Sequence, residues 1–110
     1  MILTSGLPAN LSVRQSTGVC LRLVGLATGT PSPFDGQWLV EYDPTRPGTT
    51  PTGQPMTAHV VCSVDPARAR RLATAVDAHR LWRATSGRNR PDGQPDRPLT
   101  AFTVLMEPAP

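Results

Sequence analysis

Residues 58–66 read AHVVCSVDP, a short apolar stretch that ends in an Asp-Pro pair. Its side chains alternate between two sides, one made of Ala58, Val60, Cys62 and Val64 and the other of His59, Val61 and Ser63. This period of two is typical of a strand with one buried face. Asp65 and Pro66 indicate a helix start, because the Asp side chain caps the first turn and proline lacks an N–H that would be unpaired there. The stretch therefore predicts a strand that leads directly into a helix.

Three other segments show the same alternation and predict further strands. They are residues 19–27 (VCLRLVGLA), 37–42 (QWLVEY) and 99–106 (LTAFTVLM). In the second segment a period of two places Trp38, Val40 and Tyr42 on one face, with Leu39 and Glu41 on the other. The segments rich in proline and glycine between the strands predict a turn at 34–36 and two long loops, 45–57 and 86–98.

The helical region is predicted to be two helices, 66–70 and 75–84. One continuous helix would place Arg71 in the apolar stripe and bury its charge. Thr74 and Asp77 resemble a capping box that starts the second helix. At 3.6 residues per turn, the buried stripe of that helix is Ala75, Ala78, Leu81, Trp82 and Thr85.

The order β-β-β-α-α-β predicts the α+β class. We expect a small two-layer domain of about four short strands, with one main helix packed on the sheet through Trp82. The length of 110 residues suits a single domain spanning 1–110. Residues 1–18 have no clear period, and they are predicted to be either an irregular arm or an extra strand around residues 11–13.

The composition limits the classes of partner. All 11 basic residues are arginine, and with eight acidic residues the formal net charge is +3. Because this usage is typical of a GC-rich genome, the charge alone is weak support for a nucleic-acid partner. The chain shows no apolar run near the ~20 residues of a membrane span and no leader pattern. We therefore expect a cytoplasmic protein without a membrane partner, in which Cys20 and Cys62 are buried, reduced thiols.

The motifs predict neither a metal nor a cofactor. His59 and Cys62 have H-x-x-C spacing, but residues three apart in a strand point to opposite faces, and the chain has no second pair of ligands. Neither a nucleophile elbow nor a phosphate-binding glycine loop is present, so no catalytic residue is predicted. The clustered acids Asp35, Glu41 and Asp43 keep a small enzyme with an acidic site as a third hypothesis.

The segment 82–98 contains the predicted binding residues, which are Trp82, Arg83, Arg88, Arg90 and Arg97. Arginine pairs well with phosphate and carboxylate groups, although the interleaved Asp92 and Asp96 would equally suit a stiff structural loop. The leading hypothesis is a non-enzymatic protein-binding or assembly accessory module that uses this Arg/Pro-rich loop and a sheet edge, with another copy or an assembly component as partner. The alternative is a nucleic-acid-binding domain that contacts phosphates through the four arginines.

Four blocks of the sequence resemble a group of small uncharacterised proteins from phages, prophages and GC-rich bacteria. The blocks are residues 34–44 (FDGQWLVEYDP), Asp65-Pro66-Ala67, Trp82-Arg83 and residues 90–104 (RPDGQPDRPLTAFTV). The resemblance leaves out the first 30 residues and the Thr/Pro-rich loop. It implies a phage-related context, and the group has no known activity that would carry over to this chain.

Overall fold

The computed structural model describes residues 2–4 and 18–109. Its strands are β1 (Ile2–Thr4), β2 (Val19–Leu26), β3 (Trp38–Asp43), β4 (Gly48–Thr49), β5 (Pro55–Met56), β6 (His59–Ser63) and β7 (Phe102–Pro108). The helix α1 spans Ala75–Trp82, and 3-10 turns occupy Pro66–Arg68 and Pro98–Ala101. The predicted α+β class is confirmed, because the four predicted strands form an antiparallel sheet in the order β7-β2-β3-β6 and α1 packs on one face.

The sheet gains a fifth strand that the sequence pattern did not reveal. The strand β1 pairs in parallel with β7, with Ile2 opposite Val104, and this extends the sheet order to β1-β7-β2-β3-β6. Three residues are too few to show a period, so only the pairing identifies this strand. The predicted strand around residues 11–13 and most of the predicted arm lie outside the described residues. Among the described strands, β1 and β6 form the two edges of this sheet.

The predicted faces of β3 are wrong because this strand contains a bulge. Leu39 lies opposite Cys62, whereas Glu41 lies opposite Val61, which makes Val40 the extra residue. Leu39 and Tyr42 are therefore both buried in the core, at 1% and 7% exposure. An inserted residue moves every later side chain to the other face.

The helical turn after β6 is shorter than predicted. The Asp65 carboxylate accepts from the Ala67 N–H, as expected of a cap, but a single 3-10 turn follows instead of a helix to residue 70. Leu72 exchanges two backbone hydrogen bonds of 2.8 Å with Val19, and the Arg70 N–H donates to the Leu39 carbonyl. The segment therefore supplies hydrogen-bond partners to backbone groups of Val19 in β2 and of Leu39 in β3. Such partners are needed because buried backbone groups are rarely left unpaired.

The last strand starts at Phe102 rather than at residue 99. The preceding residues form the 3-10 turn, and they bury Leu99 completely. Phe102, Val104 and Met106 form the inward face of this strand, as the alternation of residues 99–106 predicts. The prolines before the strand favour the turn, since proline cannot donate to a sheet ladder.

The helix α1 begins as predicted and ends two residues early. The Thr74 hydroxyl accepts from the Asp77 N–H at 3.1 Å, and Ala78 is fully buried. Trp82 packs against the core, and its indole N–H donates to the Phe102 carbonyl at 3.4 Å. The predicted stripe is confirmed up to Trp82, whereas Thr85 lies beyond the helix and is exposed. The buried core consists of Val19, Leu21, Leu23, Phe34, Leu39, Tyr42, Ala58, Val60, Ala78, Leu99, Phe102, Val104 and Met106.

Residues 45–57, predicted as an exposed loop, contain the small hairpin β4–β5. Gly48 approaches β6 so closely that a Cβ atom there would lie 2.8 Å from the Ala58 carbonyl oxygen. On the far arm, Met56 is partly buried against the core. The hairpin is thereby fixed next to β6. In the described part of the chain, no helix is long and apolar enough to cross a membrane.

The face of the sheet opposite α1 carries an ion pair. Arg22 Nη2 lies 2.6 Å from Glu107 Oε1, and the guanidinium stacks 5.1 Å from the centre of the Trp38 ring. Cys20 is buried on this face together with Ala69 and Ala109. The stacking explains why a charged side chain is accommodated in a central strand.

Candidate functional site

The Arg/Pro-rich loop is held by its own backbone ladder. The Ser86 N–H donates to the Asp96 carbonyl at 2.9 Å, and the Asp96 N–H donates to the Arg88 carbonyl at 2.8 Å. Nearer the tip, the Arg90 N–H donates to the Gln94 carbonyl at 2.8 Å across the turn that contains Gly93. The loop is therefore a small hairpin-like unit, and its backbone is ordered by internal pairing.

Three of its four predicted binding arginines contact other groups of the domain. Arg90 Nη2 lies 2.7 Å from Asp92 Oδ2, and Arg88 Nη2 lies 3.3 Å from the Thr57 carbonyl oxygen and 3.9 Å from Asp96 Oδ2. Arg97 donates from Nη1 to the carbonyl of Arg83, the exposed residue at the end of α1. Since two aspartates engage two of these cations, the loop carries less free charge than its arginine content indicates.

The predicted binding residues do not converge on one surface. Trp82 packs against the core, and the Arg90 pair lies at the tip of the loop. A second group of arginines precedes the loop, because residues 65–83 contain five arginines and two aspartates, a local charge of +3. Ala69 packs on the outer face of the sheet whereas α1 covers the core face, so the segment 65–83 passes from one side of the sheet to the other.

The clustered acids of the enzyme hypothesis are each engaged by a neighbour. Glu41 Oε2 lies 3.0 Å from His59 Nε2, and Asp35 accepts from the Ser32 hydroxyl at 2.7 Å. Hydrogen bonds from the Thr45 hydroxyl and N–H hold the pKa of Asp43 below its ordinary value. The bulge in β3 also places Trp38 on the face of Glu41, which corrects the expectation that they lie on opposite faces. Over residues 2–4 and 18–109, no group of three metal-ligating side chains is present.

The two cysteines are free thiols, as predicted, but only Cys20 is buried, whereas Cys62 is half-buried. Burial raises the pKa of the Cys20 thiol, and burial raises the pKa of Cys62 to about 12. Cys62 packs against the core while His59 pairs with Glu41 on the other face, so the H-x-x-C residues do not share a site. Both thiols are protonated at neutral pH, and a protonated thiol is a poor nucleophile.

Tyr42 ties β3 to both ends of the Arg/Pro-rich loop. Its hydroxyl accepts from the Leu99 N–H at 3.2 Å and donates to the Ala84 carbonyl at 3.5 Å. Burial is the main reason that the pKa of this phenol is raised from 10 to about 12. An ionised Tyr42 would lose the hydrogen bond to Ala84 and place a charge beside the core.

This raised pKa predicts a loss of stability at alkaline pH. The unfolded chain ionises its tyrosine near pH 10, whereas the native state keeps the proton up to about pH 12. The contribution of Tyr42 is therefore complete below pH 10 and is lost as the pH rises to 12. Tyr42 is the only tyrosine, so the absorbance of tyrosinate reports it directly. We expect a midpoint near 12 in the native protein and near 10 in denaturant.

The control for this titration is urea unfolding of Cys62→Val, with and without Tyr42→Phe, at pH 8 and pH 11. Removing the thiol is necessary because the pKa of Cys62 is also raised to about 12. The tyrosine-dependent part of the loss should disappear in the double variant. A native midpoint near 10 would contradict the buried, hydrogen-bonded hydroxyl.

The open side of β6 borders a cleft that the sequence pattern did not reveal. In the described sheet, β6 pairs with β3, and residues 47–51 lie along its other side. Two adjoining grooves, of about 380 and 250 Å³, share Thr49, Val60 and Val61. We call residues 47–51 and 59–62, together with Phe34, the edge cleft. No periodic signal marks the 47–51 wall, because it consists of Pro, Gly and Thr.

No family model, curated protein or solved structure matches this chain. Its function is therefore inferred from its own geometry.

Proposed function

We propose that this protein is a non-enzymatic protein-binding module that takes up an extended segment of its partner as an added strand at β6. The observation that carries the proposal is the position of β6, an edge strand whose unpaired side borders the edge cleft. Strand addition at such an edge is a recurring mode of peptide recognition, in which backbone hydrogen bonds supply affinity and side-chain pockets supply specificity.

The composition of β6 supports its use as a docking edge. Edge strands that must avoid pairing usually carry lysine, proline or an inward charge, or are covered by a loop; here Gly48 contacts the backbone of Ala58 and His59, at the start of the strand. The strand His59–Ser63 reads HVVCS and has no lysine, proline or inward charge, apart from His59, which is paired with Glu41. The opposite edge, β1, is only three residues long. An added strand would therefore find its longest continuous partner at β6.

The opposite wall of the cleft, residues 47–51, is suited to enclose an added strand. The wall itself does not pair with β6. Pro47 and Pro51 have no N–H to donate. Gly48 is tightly apposed to the Ala58 carbonyl, which fixes the wall relative to the strand. Val61 is the half-buried apolar residue of the cleft, and the buried Val60 and Phe34 lie behind it, so we expect the partner segment to carry small apolar side chains at alternating positions.

The Arg/Pro-rich loop is the second contact in this proposal. Arg88 donates to the Thr57 carbonyl, two residues before β6, and it thereby places the loop next to the start of the strand. The resemblance to phage and prophage proteins makes an accessory role in an assembly the proposed setting. The partner is then another component of that assembly.

A selection from displayed random peptides tests the proposal with a defined variant pair. Thr49→Trp fills the cleft from its exposed wall, and Thr52→Trp places the same side chain at the tip of the hairpin, outside the cleft. We expect selected peptides to lose at least about tenfold in affinity for Thr49→Trp and to bind Thr52→Trp unchanged. Amide exchange of β6 should slow when peptide binds.

Two results would overturn this assignment. One is a set of selected peptides that bind Thr49→Trp as tightly as the unchanged protein. The other is salt-sensitive binding of labelled DNA that Thr49→Trp leaves intact, which would favour the nucleic-acid alternative.

A further inference from the structure

A separate cavity of about 320 Å³ lies between the β4–β5 hairpin and the segment that leads into β7. It is lined by Met56, Thr57, Ala58, Val60, Asp96, Pro98, Ala101 and Phe102. The β4 arm lines the edge cleft while Met56 of β5 lines the cavity, and Val60 is the residue that lines both. The two sites share Val60 and the Arg/Pro-rich loop, so variants that affect only one of them are needed to tell them apart.

The lining of the cavity is mostly apolar. Six of its eight lining residues are apolar, and Ala58, Val60 and Phe102 also belong to the core. Its volume is near the lower end of the range for small-molecule pockets, about 300 Å³. Such a site holds a small ligand whose apolar part is desolvated on binding.

Asp96 supplies a fixed carboxylate at this cavity. Its Oδ2 atom accepts from the Ser86 hydroxyl at 2.7 Å, and its backbone N–H and carbonyl both take part in the loop ladder. Within the described residues, Oδ1 has no hydrogen-bond partner, so it is available to a donor on a ligand. Because the backbone and one oxygen are already held, the carboxylate is pre-organised.

Arg88 places a positive charge beside this carboxylate. Its Nη2 atom lies 3.9 Å from Asp96 Oδ2 and 3.3 Å from the carbonyl of Thr57, another lining residue. A simple cation bound at Asp96 would be repelled by Arg88, and a simple anion bound at Arg88 would be repelled by Asp96. A zwitterion would satisfy both groups, with its cation on Asp96 and its anion on Arg88.

We infer that this cavity binds a free α-amino acid with a large apolar side chain. The ammonium group contacts the Asp96 carboxylate, the carboxylate contacts the Arg88 guanidinium, and the side chain occupies the space above Val60 and Phe102. Amino acids with small side chains leave the cavity unfilled and bind more weakly.

Calorimetric or NMR titration with L-phenylalanine tests the inference. We expect saturable binding, and at least about tenfold weaker binding of 2-phenylethylamine, which lacks the carboxylate, and of 3-phenylpropionate, which lacks the ammonium group. Glycine should bind more weakly than either large apolar amino acid tested, L-phenylalanine or L-leucine.

Matched variants separate the two charged groups from the fold. Asp96→Asn keeps an acceptor for Ser86 but removes the charge, and Arg88→Met removes the cation; each should weaken binding at least about tenfold. The controls Asp92→Asn and Arg90→Met remove an equivalent pair from the loop tip and should leave binding unchanged. Ala101→Leu should abolish binding by filling the cavity while both charges remain.

Thr49→Trp and Ala101→Leu distinguish failure of the edge cleft from failure of the amino-acid site, because each changes a residue that lines only one of them. Thr49→Trp should retain L-phenylalanine binding, even where peptide binding is lost. Equal affinity for L-phenylalanine and both analogues would overturn the zwitterion inference, as would no saturation with either L-phenylalanine or L-leucine. The same loss in Asp92→Asn as in Asp96→Asn would also overturn it.

Discussion

Replacing Phe34 with alanine is expected to lower the free energy of unfolding by about 3–5 kcal/mol. Phe34 is only 2% exposed, and its ring meets that of Phe102 edge to face, with 5.8 Å between the centroids. Truncation removes this contact and leaves a cavity that neighbouring strands cannot close by small movements. Urea unfolding followed by circular dichroism measures the change.

The loop that carries Phe34 is held by hydrogen bonds, so its backbone cannot shift to fill the space left in Phe34→Ala and reduce the loss of stability. Its Ser32 hydroxyl and N–H are both bonded to the Asp35 carboxylate, and the Gly36 N–H donates to the Leu23 carbonyl at 2.7 Å. Val76→Ala is the control, because Val76 is 58% exposed on α1 and its truncation should cost no more than about 0.5 kcal/mol. A loss below about 1 kcal/mol in Phe34→Ala would show that the ring is not a core residue.

Gly18→Ala is expected to lower the free energy of unfolding by roughly 2–4 kcal/mol, from backbone strain and overpacking together. Gly18 has a φ of +75°, and a Cβ atom there would lie 2.5 Å from the carbonyl oxygen of Leu72. That carbonyl accepts from the Val19 N–H, so it cannot move away without breaking the bridge that joins β2 to the segment after Ala69.

Gly36→Ala separates the two causes in this prediction. Gly36 has nearly the same φ, +77°, and no atom lies within 4 Å of the position of its Cβ. It should therefore show the cost of backbone strain alone, about 1–2 kcal/mol. Equal destabilisation by the two substitutions would mean that Gly18 does not closely approach Leu72.

Features that depend on neighbouring residues could be predicted from the sequence. The inward faces of β2 and β7 follow their alternation, and the caps at Asp65 and Thr74 follow local side-chain chemistry. The stripe of α1 up to Trp82 follows the helical period in the same way. In each case the deciding contacts lie within a few residues of one another.

The candidate site was predicted only in part. The arginines of the 82–98 segment were predicted as one group of binding residues, but the partners of Arg88 and Arg97 include the carbonyls of Thr57 and Arg83, which are 31 and 14 residues away. The edge cleft and the Asp96 cavity join segments that are distant in the chain. A periodic pattern carries no information about which distant segments meet.

The sequence by itself determined the class of the domain, the four main strands, the start of α1 and the buried side of Trp82, because alternation and capping are local. Only the tertiary structure decided that Val40 forms a bulge, that Phe34 leaves a turn to enter the core, and that β6 stands at an edge beside a cleft. These features are set by long-range pairing, in which the backbone groups and apolar surface of one segment are satisfied by another.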